Sequence, residues 1–414
     1  MCRHRRFQNW AVSLAVYGLM MAVSPIGQGA EKADLSEDKV YQVEIVLKTP
    51  RKKPPRQGGP LDRVQLSMWV PAGTKVIRGA LVNPFYLKAV GQKHWQAANR
   101  HWGFGIIAAN YFGVKSDEFD TTLKAALKKF AEVSGRPEIE HIPLLFGGMS
   151  AGAGMAVRFT EKMPGRVIAV APVCLEVGPR SPDSRHVPMI TIFGEKDGKQ
   201  YEKLAEKLPV ERAQGAQWAT AVQWGRRHEY ARANNLAMSF FDHAIALRYP
   251  VGATPIDGPV TLKKIDPIQG WLGDRDGWKT NSPRIAAFAD FKGDKTRACW
   301  FPNRNVAEVW RAFVSYKPQI KITEPPGMGD GQPFILHREG ATIVVRVKTE
   351  VGIGVKKLLL YAGDVSVPMT GIKNGVYEAK VQNIRAGIYA LFAVAETSDD
   401  KLQVSRPHTI IVRK

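Results

Sequence analysis

The stretch IPLLFGGMSAGAGMAVRF, residues 142–159, runs from an apolar strand pattern through Gly148-Met149-Ser150-Ala151-Gly152 into a helical pattern. Strand, sharp turn and helix is the context that a G-x-S-x-G match requires. The reason is steric. A serine at such a bend adopts a strained backbone, so its neighbours must be nearly bare of side chain, and Gly148, Ala151, Gly152 and Gly154 meet that demand. The bend lifts the Ser150 hydroxyl clear of the sheet and sets it beside a helix N-terminus, whose oriented amides favour an oxyanion. The same glycines do not complete a phosphate loop: no G-K-[ST] follows, and G-x-G-x-x-G is not matched.

An activated serine needs a base, and the base needs an orienting carboxylate. Downstream, MITIFGEKDGK (189–199) is an apolar run ending at Gly194, with Asp197 just past it. WATAVQWGRRHEY (218–230) is a second such run, with His228 beyond its end. Both residues therefore sit past the carboxyl ends of strands, where open parallel sheets place their sites. Glu195 and Glu176 are the competing acids. Among the other histidines, His94, His101 and His141 precede the serine, and His186 precedes Asp197. His243 falls within a helical pattern, His4 lies in the N-terminal leader, and His337 and His408 lie far downstream. Ser150, Asp197 and His228 are thus the expected nucleophile, acid and base. The Ala151 N–H is one expected oxyanion donor, and the loop after ALVNPFY offers Phe85 or Tyr86 as the second.

Working outward, β-like runs cover 40–47, 64–70, 79–85, 104–112, 142–148, 167–173, 189–194 and 218–224. Several are almost wholly apolar, as strands buried on both faces must be. Helical spacing occupies 121–135, 236–250 and 305–316. This alternation predicts an α/β fold: a mostly parallel eight-stranded sheet with helices on both faces and an antiparallel start. Residues 251–300 are rich in Pro, Gly, Asp and Trp. TEPPGMGDGQP (323–333) has the composition of a linker. From 334 to 414, short strands separated by turn residues predict an all-β sandwich. The expected organisation is a leader at 1–30, a catalytic domain at 31–322, the linker, and the sandwich.

The leader pattern has three parts: Arg3, Arg5 and Arg6, an apolar run from Ala11 to Val23, and small residues ending at Ala30. That is the layout of a secretory signal peptide, which predicts a secreted or periplasmic protein. No later segment is apolar enough to span a membrane. The formal charge is +21, or +18 without residues 1–30. A surplus of that size favours anionic partners. No nucleic-acid motif accompanies it, and KTPRKKPPR (48–56) looks like a solvated, proline-stiffened loop. Cys174 and Cys299 leave a disulfide open, and no cysteine or histidine spacing suggests a metal.

FGGMSAGAG, FGEKDG and WGRRHEY, in this order, resemble the secreted α/β-hydrolase esterases of the dienelactone-hydrolase, polyhydroxybutyrate-depolymerase and feruloyl-esterase groups. The likeness covers about residues 60–250. The end of the chain resembles bacterial immunoglobulin-like modules. The resemblance implies the α/β-hydrolase fold and a Ser150–His228–Asp197 triad that needs no cofactor. It also implies a small or polymer-linked ester substrate, with anionic polysaccharide favoured by the charge. GWLGDRDGW (270–278) and ACWFPN (298–303) resemble segments that follow such cores. Trp271, Trp278 and Trp300, together with Met149, are candidates to line a substrate entrance, with packing against the final helix the equal alternative for the tryptophans. The rival readings are a prolyl-oligopeptidase-like serine peptidase and a non-catalytic polysaccharide-binding protein.

Overall fold

The computed structural model describes residues 36–55, 57–175, 180–279, 282–329 and 335–414. The expected signal peptide and Glu176 lie outside them. Eight strands form the central sheet: β1 (Lys39–Val46), β2 (Arg63–Val70), β3 (Gly79–Asn83), β4 (Phe104–Ala109), β5 (Leu144–Met149), β6 (Val167–Val173), β7 (Met189–Gly194) and β8 (Trp218–Gln223). Their spatial order is β1-β2-β4-β3-β5-β6-β7-β8. β1 and β2 are antiparallel to their neighbours, and every pairing from β4 through β3 to β8 is parallel. β4, β6, β7 and β8 are buried at every residue. Burial on both faces is what makes their sequences almost wholly apolar.

Six α-helices accompany the sheet: α1 (Lys93–Trp102), α2 (Phe119–Ser134), α3 (Ala151–Lys162), α4 (Gln200–Ala213), α5 (Ala233–Arg248) and α6 (Arg304–Val314). α1, α5 and α6 share one face, joined by Trp95 against Phe241, and α2 and α3 share the other. α2 stops where Gly135 enters the left-handed region at φ 65°. α1 buries Trp95, Ala98, Asn99 and Trp102 at helical spacing, whereas α4 lacks such a stripe and carries Pro209 inside it. No helix among the described residues is long and apolar enough to cross a membrane.

The basic loop between β1 and β2 is only partly solvated. Lys52 and Lys53 are exposed, whereas Arg51 is buried and donates from Nη2 to Asn110 O at 2.7 Å. Residues 251–300 hold a small sheet, Ile285–Ala287, Trp271–Gly273 and Cys299–Phe301 in spatial order. Trp278 and Trp300 are fully buried, and Trp278 packs against Phe193 and Trp310. They are core residues, which corrects their candidate place at a substrate entrance. Trp271 is half-buried, with the Arg304 guanidinium over its ring.

The C-terminal part is a two-sheet sandwich. One sheet contains Ile320–Glu324, Ile343–Thr349, Val376–Val381 and Thr370–Lys373. The other contains Leu336–Arg338, His408–Arg413, Gly387–Thr397, Val355–Ala362 and Val365–Pro368, with Leu402–Val404 alongside. Sandwich pairing therefore begins at Ile320, inside the stretch expected to close the catalytic domain and open the linker. Residues 330–333 of that stretch are not among those described.

Residues Ala33–Lys414 cluster as one unit, and the strand Gly387–Thr397 explains why. Leu391, Ala393 and Ala395 point into the sandwich core, while Ile388, Ala390 and Phe392 join the core of the central sheet. Alternate residues face opposite sides of a strand, so both faces here are buried against protein. Asn235 of α5, itself buried, accepts from Thr409 N at 2.9 Å and donates to Met328 O at 2.7 Å. Asn235→Ala leaves both partners buried without it, at a cost of about 2 kcal/mol. A lowered urea midpoint checks this; an unchanged midpoint would show the contact to be dispensable.

Candidate active site

Ser150 stands between β5 and α3 with φ 56° and ψ −122°, a strained conformation for a residue with a side chain. Its N–H donates to Val173 O at 2.9 Å, tying the bend to the end of β6. The small neighbours are required by contact. A Cβ on Gly148 would stand 2.6 Å from the Gly152 carbonyl carbon, and one on Gly152 would stand 2.9 Å from Phe85 Cβ. Ala151 is the first residue of α3, where a backbone N–H has no acceptor within the helix.

Asp197 lies past β7 and His228 past β8. His228 Nδ1 and Asp197 Oδ1 are 2.8 Å apart, with side chains 46% and 10% exposed. Among the described residues no hydrogen bond joins the Ser150 hydroxyl to that ring. The structure thus joins acid to base and sets the serine on the same edge of the sheet. Glu195, the competing acid, is engaged elsewhere: Oε2 accepts from Gly225 N at 2.8 Å.

The base loop is held by residues the sequence did not single out. Buried Gln223, which ends β8, accepts from Arg232 N at 2.9 Å through Oε1 and donates to Glu229 O at 3.5 Å through Nε2, holding the chain just past His228. Lys196 N donates to Arg226 O at 2.8 Å. A Cβ on Gly194 would lie 2.2 Å from Arg227 O, so a bare α-carbon lets the base loop cross the end of β7. None of these has a recognisable sequence pattern; Gln223 acts within its own loop, and Lys196 and Gly194 act across about thirty residues.

The expected second oxyanion donors have an internal partner. Phe85 N and Tyr86 N donate to Asn83 Oδ1 at 3.2 and 3.1 Å. Tyr230, hydrogen-bonded to Asn83, has its hydroxyl pushed up to about 12 by burial. Met149 is half-buried at the end of β5. A cleft of about 520 Å³ lies between Ser282–Ala286 and Lys401–Gln403 and shares no residue with this site.

Cys174 follows β6 at φ 54°, and its thiol donates to Glu229 O at 3.4 Å. Burial, then the negative charge of Asp197, push the thiol up to about 12. Cys174 and Cys299 are both free thiols, so the bridge left open by the sequence is absent. Spacing offered no metal ligands, yet the fold gathers Cys174, Asp197 and His228 with donor atoms within 4.8 Å of one another.

Nearby, His94 Nε2 meets Asn234 Nδ2 at 3.2 Å, and burial pushes the His94 imidazole down to about 4. The unfolded chain takes up this proton near pH 6.5, whereas the folded chain refuses it until about 4. Stability is therefore full above pH 6.5 and falls as pH drops, by about 2 kcal/mol at pH 5. Urea midpoints at pH 7 and 5 should show that loss, reduced in His94→Gln; equal losses in both proteins would remove His94 as its cause.

No family model matches the chain, and no curated protein matches it in sequence. Among solved structures, a peroxisomal α/β-hydrolase from Saccharomyces cerevisiae is 9% identical, with TM-score 0.36, over 50% of this chain and 88% of its own. A feruloyl esterase module from Clostridium thermocellum is 13% identical, with TM-score 0.32, over 52% and 91%. A fibronectin(III)-like module structure from Clostridium thermocellum CbhA is 23% identical, with TM-score 0.20, over 23% and 94%. Strand order, parallel pairing and a strained serine between β5 and α3 give this chain the α/β-hydrolase fold, followed by a β-sandwich.

Proposed function

We propose that the protein is an exported serine hydrolase that cleaves carboxylic esters through an acyl-enzyme. The backbone of Ser150, strained at the head of α3, carries this reading. Strain of that kind persists only where the surroundings over-determine it, and it presents the hydroxyl to the positive end of a helix. The Asp197–His228 bond supports it, because a carboxylate on Nδ1 leaves Nε2 as the basic nitrogen.

In the proposed cycle, the exposed His228 ring turns Nε2 to Ser150 and takes the hydroxyl proton. Ser150 Oγ attacks the ester carbonyl, and the Ala151 N–H receives the developing oxyanion. Phe85 or Tyr86 serves as second donor by exchanging Asn83 Oδ1 for that oxygen. His228 then protonates the leaving alcohol. Water, deprotonated by the same imidazole, releases the acid and regenerates the serine. The Arg3–Ala30 pattern supports export, and the charge of +21 supports an anionic polymer as bearer of the ester.

Short p-nitrophenyl esters and a fluorophosphonate probe test the proposal. Hydrolysis, together with a single covalent adduct mapped to Ser150, is expected. An adduct elsewhere, or no turnover and no adduct, would sink it.

A further inference from the structure

The loops after β6, β7 and β8 converge on three unlike donors. Cys174 Sγ, a carboxylate oxygen of Asp197 and an imidazole nitrogen of His228 lie within 4.8 Å of one another. Sulfur, oxygen and nitrogen together form the donor set of zinc-class cations; calcium and magnesium take oxygen. The protein does not saturate the cluster. The Asp197 side chain is only 10% exposed, and its Oδ2 is buried with no hydrogen-bond partner among the described residues. That oxygen is an acceptor left over beside a thiol and an imidazole.

We propose that this cluster is a reversible inhibitory site for a zinc-class divalent cation, ligated by Cys174 Sγ, Asp197 and His228. A tetrahedral zinc has bonds of about 2.0–2.3 Å, which sets its donors roughly 3.3–3.7 Å apart. The cluster must close by about an ångström at its widest, and the His228 ring, 46% exposed, supplies that movement and the entry path. On binding, the Cys174 thiol gives its proton to solvent and the sulfur lone pair goes to the metal. His228 stays neutral by changing tautomer: the proton on the nitrogen facing Asp197 goes to solvent, Nε2 takes one up, and the Nδ1 lone pair goes to the metal. No redox change is involved, and a chelator reverses each step. With the metal in place, the 2.8 Å Asp197–His228 bond opens and the imidazole is no longer aimed at a serine.

The inhibitory half of this inference rests on the esterase reading; the binding half does not. Calorimetry with Zn²⁺ on the full-length Ser150→Ala protein separates them. One ion per chain is expected, with affinity at least about 30-fold weaker when Cys174→Ala is added. Co²⁺ should give a thiolate charge-transfer band with the Ser150→Ala protein, a readout that needs no cysteine variant. With wild-type protein, Zn²⁺ should suppress ester hydrolysis, EDTA should restore it, and Cys174→Ala should hydrolyse esters while resisting Zn²⁺ about 30-fold better. Cysteine-dependent binding without any esterase activity would refute the proposed function and retain the metal site. Absence of binding, absence of the cobalt band, or Zn²⁺ affinity unchanged from the Ser150→Ala parent when Cys174→Ala or Cys174→Ser is added would overturn the site.

Discussion

Ser150→Ala should lower kcat/KM for p-nitrophenyl acetate by roughly 10³-fold or more, with the fold intact. The alanine keeps the elbow backbone, the Ala151 N–H and the Asp197–His228 pair, so only the attacking oxygen is lost. Residual turnover would then reflect the oxyanion donor and the base acting on water. Ser150 is half-buried and its side chain caps nothing in α3, so stability should change little. Activity surviving intact in this variant would remove Ser150 as the nucleophile.

Gly194→Ala should have the next largest effect, although the residue touches no substrate. The added methyl would meet Arg227 O at 2.2 Å and Arg226 O at 2.5 Å, both backbone atoms of the loop that ends in His228. Backbone cannot rotate aside as a side chain can, so the loop must shift by about an ångström. A displacement of that size can cost on the order of 10²-fold in rate. The loss should fall on kcat, and fluorophosphonate labelling of Ser150 should slow in parallel. Gly165→Ala, where an added Cβ meets nothing within 4 Å, is the control. Equal rates in the two variants would show that Gly194 does not place the base.

The sheet was legible because buried parallel strands advertise themselves. VIAVAPV is apolar throughout and MITIFG is interrupted only by Thr191, and the observed β6 and β7 have the bounds their patterns give. α2 and α5 were visible for the same reason at helical period. α4 was not: QYEKLAEKLPVERA has little amphipathic order and a proline inside it. Asp197 and His228 could be found because chain order and strand ends restrict where an acid and a base can lie, and the structure sets the two side chains 2.8 Å apart. Asn83, Gln223, Gly194 and Cys174 could not, since each matters through a turn, a distant partner or a clash that only the fold creates. The tryptophans stayed open between entrance and interior for a related reason. A conspicuous aromatic in a Pro- and Gly-rich stretch looks like a binding wall, yet Trp278 and Trp300 fill the interior.

IYALFAVA, residues 388–395, also carried more than its pattern disclosed, because a strand apolar on both sides needs two neighbours. Ile388, Ala390 and Phe392 complete an interior that belongs to another fold, and Asn235 latches onto Thr409 and Met328 beside them. Such a sandwich is poorly suited to shuffling between genes as an interchangeable cassette. Grafted onto an unrelated enzyme it would arrive with an unmatched apolar seam, so its evolutionary history should track that of α5 residue by residue.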